Sequence, residues 1–333
     1  MRKLLTIVLG LFLLVGCNND DDDPLGNWIE KSSFEGLPRG SAVSFVIDDY
    51  AYVGLGYNDD QDDGYQYLKD FWKYNPSTDR WDRMADFPGK GRTAAVAFAI
   101  NGKGYIGTGY DGDYKLKDFW EYDPTTDMWT QKDDFLGEAR YKAVGFSLLN
   151  YGYLGTGYLD GLVDINDFYR FDPTKDAGSQ WVKVQSIGGQ KRHGSTAFTY
   201  NDKAYVCTGV SNGVYLTDMW EYDPTADTWT KKIELDDDDN WTIIRQNASS
   251  FVLDGKAYVM LGDKSTSTLS SVWEYSFTGD TWVEKTDFEG YARTNPVAFT
   301  VGGKGFVATG ETGSYYLYDV WNFRPFETYD EDD

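Results

Sequence analysis

RTAAVAFAINGKGYIGTGYDGDYKLKDFWEYDPTTDMW, residues 92–129, is the stretch that decides the fold. It sets Arg92, a run of small residues ending in Phe98, an Asn101-Gly102 turn, Tyr105, Gly107-Thr108-Gly109, the run Asp118 to Pro124 and a closing Trp129 in one order. That order recurs. Arg39, Arg92, Arg140, Arg192, Arg245 and Arg293 are spaced by 53, 48, 52, 53 and 48 residues, and each is followed six residues later by Phe45, Phe98, Phe146, Phe198, Phe251 or Phe299. Glycines follow at 56, 109, 157, 209, 262 and 310, then Trp72, Trp120, Tyr169, Trp220, Trp273 or Trp321. A second tryptophan closes the first five repeats, at 81, 129, 181, 229 and 282. A period near 50 residues is read before any domain division, because it sets the architecture.

Each repeat reads as four short strands. Asn101-Gly102, Asp254-Gly255 and Gly302-Gly303 fit two-residue hairpin turns, where both central residues need φ > 0. Asp123-Pro124-Thr125-Thr126-Asp127 supplies the next reversal, with proline fixing φ. A four-stranded sheet repeated about every 50 residues is a propeller blade. The innermost strand has the least room, so its residues are small, while outer Trp and Tyr fill the wedge between sheets. The sixth repeat has no second tryptophan, yet Trp28 stands eleven residues before Arg39, the interval seen from Trp81 to Arg92. The expectation is an all-β, six-bladed propeller over residues 27–326 whose N-terminal strand completes the last blade, leaving no open sheet edge.

The motif order Arg, apolar strand, Tyr-x-x-Gly-x-Gly, Asp-x-Trp-x-Tyr-Asp-Pro and Trp resembles that of kelch-repeat β-propellers, over about Trp28 to Pro325. The departure lies at the family's adjacent glycine pair. This chain has Gly54-Leu55-Gly56, Gly107-Thr108-Gly109 and Gly155-Thr156-Gly157, and replaces the first glycine by Cys207, Met260 and Ala308 in the later repeats.

Composition excludes several functions. The 333 residues carry a net charge of −23 with 17% aromatic residues and one histidine. The aromatic content is that of a folded body, and the acidity argues against nucleic acid and anionic membrane surfaces as partners. A single histidine leaves little scope for imidazole metal sites. Met1-Arg2-Lys3 and the apolar run Leu4 to Val15 read as a signal peptide. Leu14-Val15-Gly16-Cys17 resembles the lipobox of bacterial lipoproteins, which implies a lipid on Cys17 after removal of the leader. Asn18 to Asp23 resembles the acidic export tags of Bacteroidota surface lipoproteins, so residues 18–26 are expected to be a tether and 327–333 an acidic tail. The implied location is the outer membrane, anchored by the Cys17 lipid, on the cell surface, as a monomer. Cys207 is then left without a disulfide partner and reads as a small buried residue.

In this strand order the loops entering the inner strands and those leaving the second strands open on one face. The six arginines, with Tyr57, Tyr110, Tyr158, Val210, Asp263 and Glu311, are expected around that mouth, aromatic on one side and acidic on the other. The arginines could hold an anionic ligand by forked hydrogen bonds, as in kelch proteins that bind acidic peptides, or pair with a carboxylate or carbonyl of the neighbouring blade. The three tyrosines offer flat faces to sugar rings. Asp59, Gln61, Asp63, Tyr65, Tyr67 and Asp70 follow a calcium-loop-like spacing with Gly64 at its sixth position, and Asp236 to Asp239 form a second acidic loop. No other cofactor is expected. Copper-radical oxidase and sialidase motifs are absent. A kelch-type sugar epimerase, with Asp263 or Glu311 as base, is the alternative to a glycan- or protein-binding module.

Overall fold

The computed structural model describes residues 24–59, 66–237 and 241–330. Cys17, Asp63, Asp238 and Asp239, with the rest of the leader and acidic run up to Asp23, lie outside them. Six four-stranded antiparallel sheets surround one axis. In the first blade Val43–Ile47, Tyr50–Gly54, Phe71–Asn75 and Arg80–Met84 run from the axis outward. The inner strands of the following blades are Val96–Ile100, Val144–Leu148, Thr196–Tyr200, Ser249–Leu253 and Val297–Val301. Asn27–Glu30 is the outer strand of the sixth blade, with Trp28 opposite Phe323 and fully buried. The two chain ends therefore close the ring.

Burial alternates along each inner strand. Val43, Phe45 and Ile47 are buried between blades while Ser44 and Val46 are half-buried, and the same alternation holds at Val96 to Ile100. Such a period of two is what a strand with one packed face requires. Between blades the aromatics pack edge to face: Phe71 meets Tyr122 at 5.3 Å and Trp129 at 5.1 Å. The turns between the third and fourth strands are tied down by a recurring pair, Tyr74 Oη donating to Asp79, Tyr122 to Asp127, Tyr222 to Asp227 and Tyr275 to Asp280, at 2.7–2.8 Å.

The interrupted glycine pattern has a packing reason. A Cβ on Gly54, Gly107 or Gly155 would stand 2.1–2.3 Å from the ring of Phe71, Phe119 or Phe168, its cross-strand neighbour. Met260 and Ala308 instead face Val272 and Val320, and Cys207 shares a core cluster with Met219. Volume is exchanged across the strand pair, which cores tolerate far better than net overpacking. The second glycine is invariant for a backbone reason. Gly56, Gly109, Gly157, Gly209, Gly262 and Gly310 have φ between 90° and 107°, and a Cβ on Gly56 would stand 2.8 Å from the Gly40 carbonyl oxygen.

Residues 24–26 lie on the body of the propeller. Thr286 Oγ1 donates to the Pro24 carbonyl at 2.6 Å and Gly26 N to the Glu327 carbonyl at 2.8 Å, while Asp330 N donates to Asn27 at 3.1 Å. Residues 24–26, expected to belong to a tether, are thus bonded to the propeller, and Glu327 and Asp330 of the expected tail are bonded to the closing strand and the residue before it. The five-residue insertion after Trp229 forms a small hairpin, Asp236–Asp237 with Trp241–Thr242. Burial pushes the Cys207 thiol up to about 12, so it is an inert core residue.

Candidate functional site

The mouth of the central channel is built from a backbone ring. Two residues after each repeat arginine stand Ser41, Ala94, Lys142, Gly194, Asn247 and Asn295, each with φ between 49° and 63°. Each amide donates to the carbonyl of its counterpart in the preceding blade, at 2.8–3.1 Å, so six hydrogen bonds close a circle around the axis. Inside it, Ala42, Ala95, Ala143, Ser195, Ala248 and Pro296 help line a cavity of about 170 Å³ that continues into a small-residue channel. One residue after each arginine lies a second circle, bridged to the residue that follows each glycine: Gly40 with Tyr57, Thr93 with Tyr110, Tyr141 with Tyr158, His193 with Val210, Gln246 with Asp263 and Thr294 with Glu311. The repeat thus delivers eighteen positions of fixed backbone to the mouth while leaving their side chains to vary.

The six arginines take no part in that surface. All are 0–1% exposed. Arg92 donates to the Lys90 and Thr108 carbonyls and to both oxygens of Asp118 at 2.6–2.7 Å, and its guanidinium lies 4.8 Å from the Phe87 ring centroid. Arg39 with Asp70, Arg140 with Asp167, Arg192 with Asp218 and Arg293 with Asp319 repeat the clamp. The carboxylate belongs to the same blade, not to its neighbour. The inter-blade bond is made by the arginine carbonyl, which accepts from the preceding blade's Gly-x-Gly amide: Gly56 N reaches Arg92 O at 2.9 Å and Gly310 N reaches Arg39 O at 2.8 Å. These arginines are locking elements, and the expectation that they grip an anionic ligand is corrected by their burial and by the carboxylate, hydroxyl or carbonyl partners that already hold each guanidinium.

Asp70 is corrected with them. Arg39 and the Trp72 indole occupy its carboxylate, so it is not a cation ligand. Asp59 is exposed and is a hydrogen-bond partner of Tyr316 from the neighbouring sixth blade. Among the described residues no group of three or more acidic, His or Cys side chains is arranged to hold a metal ion.

What the mouth does display is a continuous aromatic arc. Ring centroids run from Tyr316 to Tyr57 at 6.0 Å, to Tyr67 at 5.0 Å, Tyr110 at 6.1 Å, Tyr141 at 5.7 Å, Tyr158 at 5.7 Å and His193 at 4.5 Å. All seven are half-buried. His193 is oriented by buried Asp164, 2.5 Å from Nδ1, whose other oxygen accepts from Asn212 N.

Asp263 and Glu311 stand between the two ends of the arc, Glu311 beside Tyr316, its strand partner. Asp263 accepts from Gln246 at 2.8 Å, Asn247 at 2.7 Å and Thr294 at 2.6 Å, and Glu311 accepts from Asn295 at 2.7 Å. Gly40 makes room for Glu311, since a Cβ there would stand 2.8 Å from its carboxylate oxygen. Burial, with help from the charges of Asp59 and Asp263, raises the Glu311 pKa against the opposing pull of Asn295 and Lys142. Lys142 is the lone cation of the inner circle. Burial pulls its pKa down, while Asp263 and Glu311 pull it up from across the mouth.

Sequence reasoning brought Tyr57, Tyr110, Tyr158, Asp263 and Glu311 to one mouth, where the structure has them. It missed Lys142, Tyr141, His193, Asn247, Asn295 and Tyr316. The signal was available: reading down the repeat columns one and two places after the arginines isolates Tyr141, His193 and Lys142 as departures.

Comparison with known proteins agrees with this architecture. The kelch motif family model matches residues 38–88 and 191–232, which lie in the first and fourth blades. The N-acetylneuraminate epimerase of Yersinia enterocolitica serotype O:8 / biotype 1B (strain NCTC 13174 / 8081) is 32% identical over 85 residues, 25% of this chain and 22% of that protein. The same-named protein of Shigella boydii serotype 4 (strain Sb227) is 33% identical over 75 residues, 22% of this chain and 20% of that protein. The match thus spans about a fifth of the length of these curated relatives. The solved structure of YjhT superposes with a TM-score of 0.71 at 16% identity, covering 86% of this chain and 95% of that one. This chain is a six-bladed β-propeller that carries kelch motifs.

Proposed function

We propose that the protein is a glycan-binding module whose ligand sits in the channel mouth, held at the cell surface through a lipid on Cys17. The seven-ring arc carries this reading. Flat aromatic faces suit the C–H faces of pyranose rings, and the carboxylates and amides of Asp263, Glu311, Asn247 and Asn295 suit hydroxyl groups. The anchor rests on the lipobox-like Leu14 to Cys17, and the surface location on the acidic run after it. A glycan array probed with the full chain, followed by calorimetry on any hit, tests the reading. Tyr141→Ala and Tyr158→Ala are each expected to weaken binding by about tenfold without lowering the melting temperature. No hit, or hits insensitive to both variants, would overturn it.

A second reading, a sugar-modifying enzyme, is favoured by the raised pKa of Glu311, which suits proton transfer, and by the partial similarity to N-acetylneuraminate epimerases. Incubation with N-acetylneuraminate followed by NMR separates the two. Epimerisation that disappears in Glu311→Gln supports the enzyme, and an unchanged spectrum leaves the binding module.

A further inference from the structure

The sixth blade departs from its sisters just outside the mouth. Where the loops before the arginine and before the third strand meet, the first blade presents Leu37 and Lys69, and the sixth presents Tyr291 and Tyr318. In the first blade the tryptophan beneath, Trp72, is covered by Arg83, whose guanidinium stands 5.9 Å from the ring and pairs with Asp86. The residue equivalent to Arg83 in the sixth blade is Glu30, so Trp321 has no cationic cover of that kind. Tyr291 and Tyr318, 72% and 52% exposed, flank a cavity of about 430 Å³ that Trp321, Leu317, Glu30 and Glu289 also line. Soluble proteins bury or space out such side chains unless the patch is used.

The cavity adjoins the mouth. Tyr316 ends the aromatic arc, Leu317 lines the cavity and Tyr318 walls it, so three consecutive residues lead from one to the other. We infer that this is a second subsite for the same ligand, and that the ligand is a neutral oligosaccharide chain running from the arc over Leu317 into the Tyr291–Tyr318 cavity. The inference rests on the glycan reading of the mouth. Aromatic walls match sugar faces, Glu30 supplies a hydroxyl acceptor, and the charges of Glu30 and Glu289, the latter held by Trp28 N, repel an anionic chain. A chain touching both subsites gains affinity over a short sugar because the second contact is intramolecular.

The test uses the full chain and ladders of neutral glucan, xylan, mannan and galactan fragments from two to eight units, titrated by calorimetry. Affinity is expected to rise at least about tenfold from the shortest binding fragment to the longest. The double variant Tyr291→Ala, Tyr318→Ala is expected to abolish that rise while keeping the wild-type affinity for the short fragment and the wild-type melting temperature. Length-independent affinity, or a rise that survives the double variant, overturns the second subsite and leaves the mouth reading intact. Absence of binding by every fragment to the wild type overturns the neutral-chain inference, while the mouth reading is decided by the glycan array.

Discussion

Arg245 differs from the other five repeat arginines in its partner. Ser271 stands where the other blades have aspartate, and Arg245 donates to its carbonyl and hydroxyl. Burial, unopposed by an adjacent carboxylate, lowers the Arg245 pKa to about 10, and the buried Trp273 indole nitrogen has no acceptor. Ser271→Asp is expected to satisfy both groups and stabilise the fold by about 1–3 kcal/mol in chemical denaturation. Arg92→Ala does the reverse, leaving Asp118 and the Lys90 and Thr108 carbonyls without their donor, and is expected to cost about 3–5 kcal/mol. A ligand-gripping arginine would instead leave stability unchanged when removed. Glu311 lies on the other side of this division. Its native pKa is raised, so its stabilising contribution is present in acid and lost as pH rises through that value. Glu311→Gln should therefore raise the melting temperature at pH 7, leave it nearly unchanged at pH 4, and weaken ligand binding, the trade expected at a strained functional site.

Strand pairs carry the repeat, and their exchange of volume can be tested by swapping it. Gly107→Met alone drives a side chain into Phe119 and is expected to destabilise by about 1–3 kcal/mol. Combined with Phe119→Val, which recreates the Met260–Val272 pair of the fifth blade, much of that loss should be recovered, a coupling readable from a double-mutant cycle. The blade itself was legible in the sequence, because turn residues, arginine, glycine and tryptophan recur at fixed offsets and each answers a local constraint. The Arg–Asp clamp was half legible. Arg92 and Asp118 both recur, but their pairing within one blade depends on how the third strand folds back, which spacing does not state. The mouth was legible only where a residue follows the glycine. Lys142 and Tyr141 sit on the partnering loop, and their importance comes from having no counterpart in other repeats, where a search for recurrence does not look.

At the scale of the whole molecule, closure and charge set the stability. Deleting residues 1–30 removes Trp28 and the outer strand of the sixth blade, exposing Phe323 and a sheet edge. A loss of at least about 3 kcal/mol and rapid proteolysis near Phe323 are expected, since burial of one large aromatic is worth that much. In acid two clamp aspartates, Asp70 and Asp118, set the expectation. Burial alone would raise Asp70 and Asp118, yet the hydrogen bonds and charges of Arg39 and Arg92 hold both below the ordinary 3.8. Their contribution is full above about pH 4 and is lost as pH falls through the native values, so the melting temperature should drop steeply below pH 4. The central claim is that the recurring arginines hold the propeller together while the non-recurring side chains of the mouth hold the ligand. A crystal structure of the protein with its tightest-binding array glycan tests that most directly. The account expects sugar rings stacked on Tyr110, Tyr141 or Tyr158 with hydroxyls on Asp263, Glu311 or Asn295, and the six arginines unmoved. A ligand seated on the opposite face, or gripped by any of the six guanidinium groups, would contradict it.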